Sequence, residues 1–232
     1  MIQVALLQHT PDPELAVALA ARLCYSPVGI NELRERLSAS DIETFLDKIM
    51  SLGHHSVLEH ASFTFGVEGI SRACSHQLVR HRLASYSQQS QRYVTFKGAS
   101  FPQVVPATIA GSERRTMLFG QAMQACAEAY QALIDDGVPA EDARFVLPNA
   151  AETKIIVTMN ARELRHFFEL RCCERAQWEI RAMAVEMLKL VKQAAPVIFR
   201  DAGPGCLAGP CPEGKMTCGK AAEIREFFGK MR

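Results

Sequence analysis

A cationic segment rich in hydrogen-bond donors lies near the middle of the chain. Residues 80–92, RHRLASYSQQSQR, contain Arg80, Arg82, Arg92 and a row of hydroxyls and amides, but no carboxylate. A guanidinium stays charged in proteins and can donate two parallel hydrogen bonds to a phosphate. The serine and glutamine side chains add neutral donors and acceptors that can bind the edge of a base or a sugar. This composition predicts a loop that binds an oxygen-rich anion, with phosphate as the leading candidate.

A simpler interpretation of the same segment is a solvated basic face whose carboxylate partners come from elsewhere in the fold. The row of neutral donors from Ser85 to Gln91 favours ligand binding over that interpretation. Gln77 lies about one helical turn before Arg80, on the same side of a helix, and can therefore join the same site.

Three histidines and a glutamate lie close together in residues 53–60, GHHSVLEH. The zinc-binding helices use the patterns H-E-x-x-H and H-x-x-E-H, whereas the gap from His55 to Glu59 is one residue longer. We therefore favour a capped loop that carries His54 and Ser56 toward a ligand, with His55 or His60 as a structural histidine. A metal site is the less favoured alternative.

Residues 160–171, NARELRHFFELR, predict a helix with Asn160 as its N-cap. Apolar side chains recur along one face of this helix, and the next position on that face is Arg171. Burying an unpaired guanidinium is costly, so Arg171 either extends to solvent or meets an anion or acceptor. Arg144 precedes an apolar Phe-Val-Leu run and follows the same reasoning more weakly.

Three of the eight cysteines lie in a tail rich in glycine and proline. Cys206, Cys211 and Cys218 could supply three thiolate ligands to a structural zinc, but no CxxC pair is present and a fourth ligand is missing. The role of this tail is left open. The other five cysteines lie in helical or apolar contexts, which is typical of reduced thiols in a cytosolic protein.

The composition argues against two broad classes of protein. The 232 residues carry a net charge of only +1, so no global basic field would drive non-specific nucleic-acid binding. No apolar run approaches the ~20 residues of a membrane span, and the N-terminus lacks the pattern of a signal peptide. With 48% hydrophobic residues, the chain can bury a core without disulfides. We expect a soluble, cytoplasmic protein with neither a membrane nor a nucleic acid as partner.

Strand-like and helix-like segments are mixed along the chain without a regular alternation. Apolar or alternating runs predict strands at 2–7, 61–69 and 154–159. Helical spacing and end signals predict helices at 14–25, 42–49, from about 70, 118–133, 139–148, 161–173 and 176–193. The mixture favours an α+β fold. We expect a single domain over residues 1–200, with a central, mostly antiparallel sheet packed by helices, and a tail over 201–232 with a short helix.

The cationic segment resembles the signature of the flavin-dependent thymidylate synthases. In that family an R-H-R triplet is followed by seven residues and a serine, which corresponds here to Arg80-His81-Arg82 and Ser90. GHHSVLEH resembles the family's G-H-x-[ST]-x-x-E-H segment. Gln77 and the later segments GVPAEDARFVLP, NAR and LR also follow the family's order. The resemblance covers about residues 40–190.

The resemblance implies an FAD-dependent methyltransferase that converts dUMP to dTMP. Methylenetetrahydrofolate would donate the carbon and leave as tetrahydrofolate, NADPH would supply hydride, and no covalent cysteine adduct would form. It further implies a homotetramer of α+β subunits whose FAD and dUMP sites are shared between subunits. No metal is expected among the catalytic groups.

The resemblance also implies roles for individual residues. The FAD-binding set is Ser56, Arg80, His81, Arg82, Gln88, Asn160, Arg162 and His166. The dUMP-binding set is Gln77, Arg80, Gln88, Gln89, Ser90, Arg92, Arg144 and Arg171. The expected catalytic residues are Arg171, Ser90 and His54, with Arg171 stabilising negative charge on the pyrimidine ring. The chain departs from the family at Gln88, where some relatives carry an acid, and in the cysteine-bearing tail, which many relatives lack.

The alternative is a nucleotide- or nucleic-acid-binding module. In that case the R-H-R segment would bind a phosphate backbone, and Tyr86 and Tyr93 would stack on bases. The near-zero net charge argues against it, as does an arginine at the end of an apolar helix face.

Overall fold

The computed structural model describes residues 1–37 and 39–231. Its strands are β1 (Gln3–His9), β2 (Ser62–Ser71), β3 (Ala84–Gln88) and β4 (Glu152–Asn160). They form one four-stranded antiparallel sheet in the order β1-β2-β4-β3. The predicted α+β class and antiparallel sheet are therefore confirmed.

Ten α-helices are present in the described residues. They are α1 (Pro13–Leu23), α2 (Ile30–Arg36), α3 (Ala39–Ser51), α4 (Arg72–Leu78), α5 (Ala107–Ala110), α6 (Glu113–Asp135), α7 (Ala140–Ala143), α8 (Ala161–Arg171), α9 (Trp178–Ala194) and α10 (Ala221–Gly229). Short 3-10 helices cover His55–His60, Arg144–Val146 and Gly214–Met216. Within these described residues, no helix is both long enough and apolar enough to cross a membrane.

Two elements differ from the sequence-based expectation in the region of the site. Residues 84–88 were expected in a loop but form β3, the edge strand beside β4. Residues 55–60 were also expected in a loop but form a 3-10 helix. Both segments lack the regular apolar pattern that identifies a strand or helix, because an edge strand and a short 3-10 helix bury few side chains.

The chain divides into two compact units, which we describe separately. The first unit comprises Met1–Gln3, Val67–Arg80 and Ser87–Ile156, and it contains α4, α5, α6 and α7. The second comprises Val4–Gly66, His81–Tyr86 and Val157–Arg232, and it contains the other α-helices. The predicted boundary between residues 200 and 201 stays a prediction.

The core of the second unit is built from phenylalanines of β2 and α8. Phe63 and Phe168 both pack edge-on against Phe199, with ring centroids 5.4 and 6.1 Å apart. Aromatic pairs prefer this geometry, and each ring buries a large apolar area. The rigid packing fixes the axis of α8, and therefore the places at which its polar side chains emerge.

Asn160 sets the start of α8, as the sequence predicted. Its side-chain Oδ1 accepts a hydrogen bond from the backbone N–H of Glu163 at 2.9 Å. An N-cap of this kind satisfies one of the N–H groups that the first helical turn leaves without a partner. The cap therefore fixes the register in which Glu163, His166 and Arg171 follow.

Candidate active site

The predicted site residues divide between the two units. The second unit holds His54, Ser56, His81, Arg82, Asn160, Arg162, His166 and Arg171. The first unit holds Gln77, Arg80, Gln88, Gln89, Ser90, Arg92 and Arg144. The second unit therefore contains most of the predicted FAD contacts, and the first unit contains most of the predicted dUMP contacts.

His81 lies at the centre of a buried relay of three side chains in the second unit. Its Nδ1 lies 3.2 Å from Glu163 Oε1, and its Nε2 accepts a hydrogen bond of 3.0 Å from Arg171 Nε. His81 is 5% exposed and Glu163 is 6% exposed, whereas Arg171 is half-buried. The guanidinium at the end of the apolar helix face has therefore found an acceptor, which was one of its two predicted outcomes.

The hydrogen bond from Arg171 fixes the tautomer of His81. An arginine Nε–H can only donate, so Nε2 of the imidazole must be unprotonated. The ring proton then lies on Nδ1, from which it donates to the Glu163 carboxylate. This chain of hydrogen bonds orients the ring and holds the Nε edge of the Arg171 guanidinium in place.

The surroundings keep His81 neutral. Burial lowers its pKa from 6.5 to about 4, and electrostatic interactions with Arg171 and His166 contribute to the lowering. Burial also raises the pKa of Glu163. The hydroxyl of Tyr86 donates to the backbone carbonyl of His81 at 2.8 Å, and burial raises the pKa of that phenol. Tyr86 thus supports the relay and is not positioned to stack on a base.

The contribution of His81 to stability is predicted to rise with pH. Between pH 4 and pH 6.5 the unfolded His81 binds a proton that the folded one does not, so unfolding takes up protons and acid favours it. A pKa lowered from 6.5 to about 4 corresponds to about 3 kcal/mol of stability, present above pH 6.5 and lost as the pH falls toward 4.

Urea titrations of the wild type and of His81→Gln across this pH range test the prediction. The glutamine keeps an acceptor for Arg171 but does not titrate, so the variant should show a smaller rise in unfolding free energy with pH. If the unfolding free energy rose equally with pH in the two proteins, the assignment of a neutral, buried His81 would be contradicted.

A cavity of about 590 Å³ lies beside the relay in the second unit. Arg162 and His166, both predicted FAD contacts, line it together with Glu163. A cavity of this size falls within the range that binds cofactors. His55 lines it as well, whereas the predicted His54 and Ser56 are exposed and do not. Arg162 also forms an ion pair with Glu59 at 2.5 Å.

Arg82 of the second unit and Arg80 of the first are both exposed. Over residues 1–37 and 39–231, neither side chain has a carboxylate within ion-pair distance. Arg92 differs, because its guanidinium contacts Glu141 at 2.7 Å. For Arg92 the simpler interpretation applies, because its carboxylate partner comes from α7, far away in sequence.

Gln88 of the first unit points inward from β3. Its amide nitrogen donates to the hydroxyls of Ser75, at 2.9 Å, and of Thr153, at 3.1 Å. Gln88 therefore ties α4 to β4 through two donated hydrogen bonds, which an ionised carboxylate at this position could not make.

The other predicted dUMP contacts near Gln88 make only local contacts or are exposed. Gln89 is exposed, and the Ser90 hydroxyl accepts from the backbone N–H of Arg92 at 3.2 Å. Gln77 donates to the backbone carbonyl of Ala73 at 3.4 Å.

A second cavity, of about 410 Å³, lies in the first unit and contains residues that the sequence analysis missed. Its lining includes the predicted Arg144, Gln91 from the row of neutral donors and, in addition, Arg72, His76 and Asn149. No carboxylate lines it in the part of the chain that the structure describes. We call the cavity that these five residues line the arginine cavity. Arg72 lies within the helix predicted from about residue 70, and in the structure it directly follows β2 and begins α4, which also contains Gln77.

Two buried donors in the arginine cavity lack partners. Within the described residues, neither Arg72 Nε nor Gln91 Nε2 has a hydrogen-bond acceptor, although both atoms are buried. Burial lowers the pKa of Arg72, and the nearby charge of Arg144 lowers it further. Unsatisfied buried donors and adjacent like charges are both costly, and an anion with several oxygens would relieve both costs. The geometry is therefore suited to a phosphate.

The histidine-rich segment shows no metal centre. Across residues 1–37 and 39–231, no three His, Cys, Asp or Glu side chains are arranged to hold a metal ion as they stand. His54 and His60 are exposed, so His60 is not a buried structural histidine, and His55 lines the 590 Å³ cavity instead.

Comparisons with known proteins agree with these features. Residues 5–197 match the family described as "Thymidylate synthase complementing protein". The chain is 79% identical to a flavin-dependent thymidylate synthase of Geobacter sulfurreducens, over 99% of both chains, and 51% identical to one of Clostridium tetani, over 98% and 97%. It is also similar to the crystal structure of a UMP/dUMP methylase PolB from Streptomyces cacaoi bound with 5-Br dUMP. The TM-score there is 0.74 at 28% identity, over 86% of this chain and 93% of the other.

Proposed function

Because the chain belongs to the thymidylate synthase complementing protein family, whose curated relatives are flavin-dependent thymidylate synthases, we propose that it catalyses the reductive methylation of dUMP to dTMP. The enzyme is a methyltransferase that uses FAD. The finer parts of the proposal are methylenetetrahydrofolate as carbon donor, NADPH as hydride source and tetrahydrofolate as product. The proposal also includes a homotetramer whose sites are shared between subunits. It further includes a cytoplasmic location, which is expected for an enzyme of nucleotide biosynthesis.

The arginine cavity is the observation that carries the proposal for this chain. It combines two guanidiniums with the amides of Gln91 and Asn149, and it leaves two buried donors without acceptors in the described residues. A nucleoside monophosphate supplies several acceptor oxygens and close to two negative charges, which match this set of groups. Arg72 and Arg144 would hold the phosphate and thereby orient the uracil ring.

The predicted FAD contacts fit a dinucleotide. In the second unit, Arg82 offers an exposed guanidinium suited to a diphosphate, while Arg162 and His166 line a cavity large enough for a ring system. In the first unit, Arg80 offers a further exposed guanidinium. Bound FAD supplies the reducing equivalents that turn a transferred methylene group into a methyl group.

The chain's own residues contribute orientation and electrostatics. Arg171, held through Nε by the neutral His81, presents a fixed positive charge that can stabilise negative charge developing on the pyrimidine ring when C5 reacts. Because His81 and Glu163 set this orientation before substrate binds, little reorganisation is needed during the reaction. The relay is thus a positioning device, and Arg171 is the group we place against the substrate. Ser90 and His54 stay predictions as catalytic residues.

A direct assay tests the proposed function. The purified protein should be yellow with a flavin spectrum, and it should oxidise NADPH and form dTMP only when both dUMP and methylenetetrahydrofolate are present. Chromatographic detection of dTMP identifies the product, and omission of each component in turn is the control. A colourless protein that takes up no FAD and forms no dTMP would overturn the proposal. Methylation of RNA or of free uracil in place of dUMP would overturn the substrate assignment alone.

A further inference from the structure

The cysteine-bearing tail, whose role the sequence left open, forms part of the cavity of about 590 Å³ in the second unit. Residues 201–208 line this cavity together with side chains of α8. We call residues 201–208 the tail wall. They lie beyond residue 197, at which the match to the family ends. The family resemblance therefore does not explain why the tail wall is there.

The tail wall and α8 supply different kinds of surface to the cavity. The side chains from α8 are charged or polar, namely Arg162, Glu163, Arg165, His166 and Glu169. The side chains from the tail wall are mainly apolar, namely Ala202, Pro204, Leu207 and Ala208. Ligand cavities typically combine such an apolar surface with a few polar groups that fix orientation. A planar heteroaromatic ring suits this cavity, because its faces are apolar and its edge carries nitrogen and oxygen atoms.

Arg165 of α8 holds the first residue of the tail wall. Its guanidinium donates to both carboxylate oxygens of Asp201, at 2.8 and 3.1 Å, and to the backbone carbonyl of Ile198 at 2.6 Å. Two parallel hydrogen bonds between a guanidinium and a carboxylate fix direction as well as distance. The Arg165 side chain is only 18% exposed, so water competes less for this pair than at an open surface. The tail wall therefore begins at a defined position beside α8.

Arg225 of α10 holds the other end of the tail wall. Its Nε donates to the backbone carbonyl of Cys206 at 2.9 Å, and its Nη2 donates to that of Gly209 at 2.6 Å. The helix that carries Arg225 is itself packed, because Ile224 and Phe228 are buried. Both ends of the tail wall are therefore attached to helices of the second unit.

Gly203 allows close packing inside the tail wall. A Cβ atom at this position would lie 2.5 Å from Leu207 Cδ1 and 3.3 Å from Phe228 Cδ1, so a larger residue would displace Leu207. Leu207 thus rests against the backbone of the tail wall and is half-buried. An apolar wall that is already ordered costs a ligand less free energy to bind than a loop that must first be immobilised.

We propose that the tail wall binds one heteroaromatic ring of FAD, flavin or adenine, with Leu207 and Ala208 against the face of the ring. The polar side chains of α8 would hydrogen-bond the edge of the same ring, and the tail wall would exclude water from its face. This inference rests on the proposed function, because it takes FAD as the ligand. It assigns the tail to the cofactor site, as a set of binding residues that the sequence analysis did not include.

Two variants of the full-length protein test the proposal by titration with FAD after removal of the bound flavin, followed by flavin fluorescence. Ala208→Asp should raise the Kd of FAD by about tenfold or more, because a carboxylate against the ring would lose its hydration. Leu207→Ala removes apolar contact without adding charge and should raise the Kd severalfold. The matched control is Ala222→Asp, at an exposed alanine of α10 that does not line the cavity, and it should bind FAD as the wild type does.

Titrations with FMN and with ADP identify the ring, because Ala208→Asp should weaken the binding of the one whose ring contacts the tail wall. Near-ultraviolet circular dichroism of each variant checks that it is folded. Unchanged FAD affinity in both Ala208→Asp and Leu207→Ala, or an equal loss in Ala222→Asp, would overturn the inference while dTMP formation by the wild type stands. A wild type that binds FAD through the tail wall but forms no dTMP would overturn only the proposed reaction.

Discussion

Arg171→Ala should lower kcat for dTMP formation by ~10²–10³-fold while the protein keeps its FAD. The guanidinium is held by His81 at 3.0 Å and, in our proposal, faces the pyrimidine ring. Alanine removes a charge that acts mainly in the transition state, so kcat should fall more than the affinity for dUMP. Steady-state kinetics with varied dUMP, together with the flavin absorbance of the purified variant, check this result.

Two variants serve as controls for Arg171→Ala. Arg171→Lys keeps a positive charge but loses the planar Nε–H that donates to His81, so it should recover only part of the activity. Arg34→Ala removes an exposed arginine of α2 and should behave as wild type. Loss of FAD together with activity in Arg171→Ala would place this residue on the cofactor side and contradict the assignment.

Arg72→Ala should raise the dissociation constant of dUMP by about 10–100-fold, because a hydrogen bond to a charged group contributes ~1.5–3 kcal/mol. The residue was not among the predicted ligands, and its buried Nε has no acceptor in the described part of the chain. Calorimetric titration of the FAD-loaded protein with dUMP measures the change. FAD content should remain that of the wild type.

Deoxyuridine, which lacks the phosphate, makes this test specific. It should bind the wild type weakly, and Arg72→Ala should change its binding little, since the arginine would have lost only a phosphate contact. Arg114→Ala, at an exposed arginine of α6 in the same unit, is the matched control. Equal weakening of dUMP and deoxyuridine would indicate a general loss of structure and contradict phosphate binding by Arg72.

Local patterns in the sequence predicted most of the elements around the site. The period of two in β2 and the cap at Asn160 depend on neighbouring residues, so both could be identified from the sequence, and both are confirmed. β3 could not be identified in this way, because ASYSQ has little apolar content and pairs along only one edge with its neighbour.

The relay and the arginine cavity could be identified only from the three-dimensional structure. Glu163 lies 82 positions from His81, and Arg171 lies 90 positions from it, so no local pattern relates them. The sequence indicated that Arg171 needs either solvent or an acceptor, but it could not identify His81 as that acceptor. In the same way, Glu141 was not identifiable as the partner of Arg92, because the two are 49 positions apart.

The edge strand β3 also constrains how the cationic segment can vary during evolution. Its residues alternate between half-buried and exposed, so Tyr86 and Gln88 point to one face while Ser85 and Ser87 point to the other. Substitution at the exposed positions changes one side chain, whereas insertion or deletion of a single residue would exchange the two faces. Such an insertion or deletion would turn Gln88 away from Ser75 and Thr153. We therefore expect this strand to tolerate changes of composition and to be nearly invariant in length.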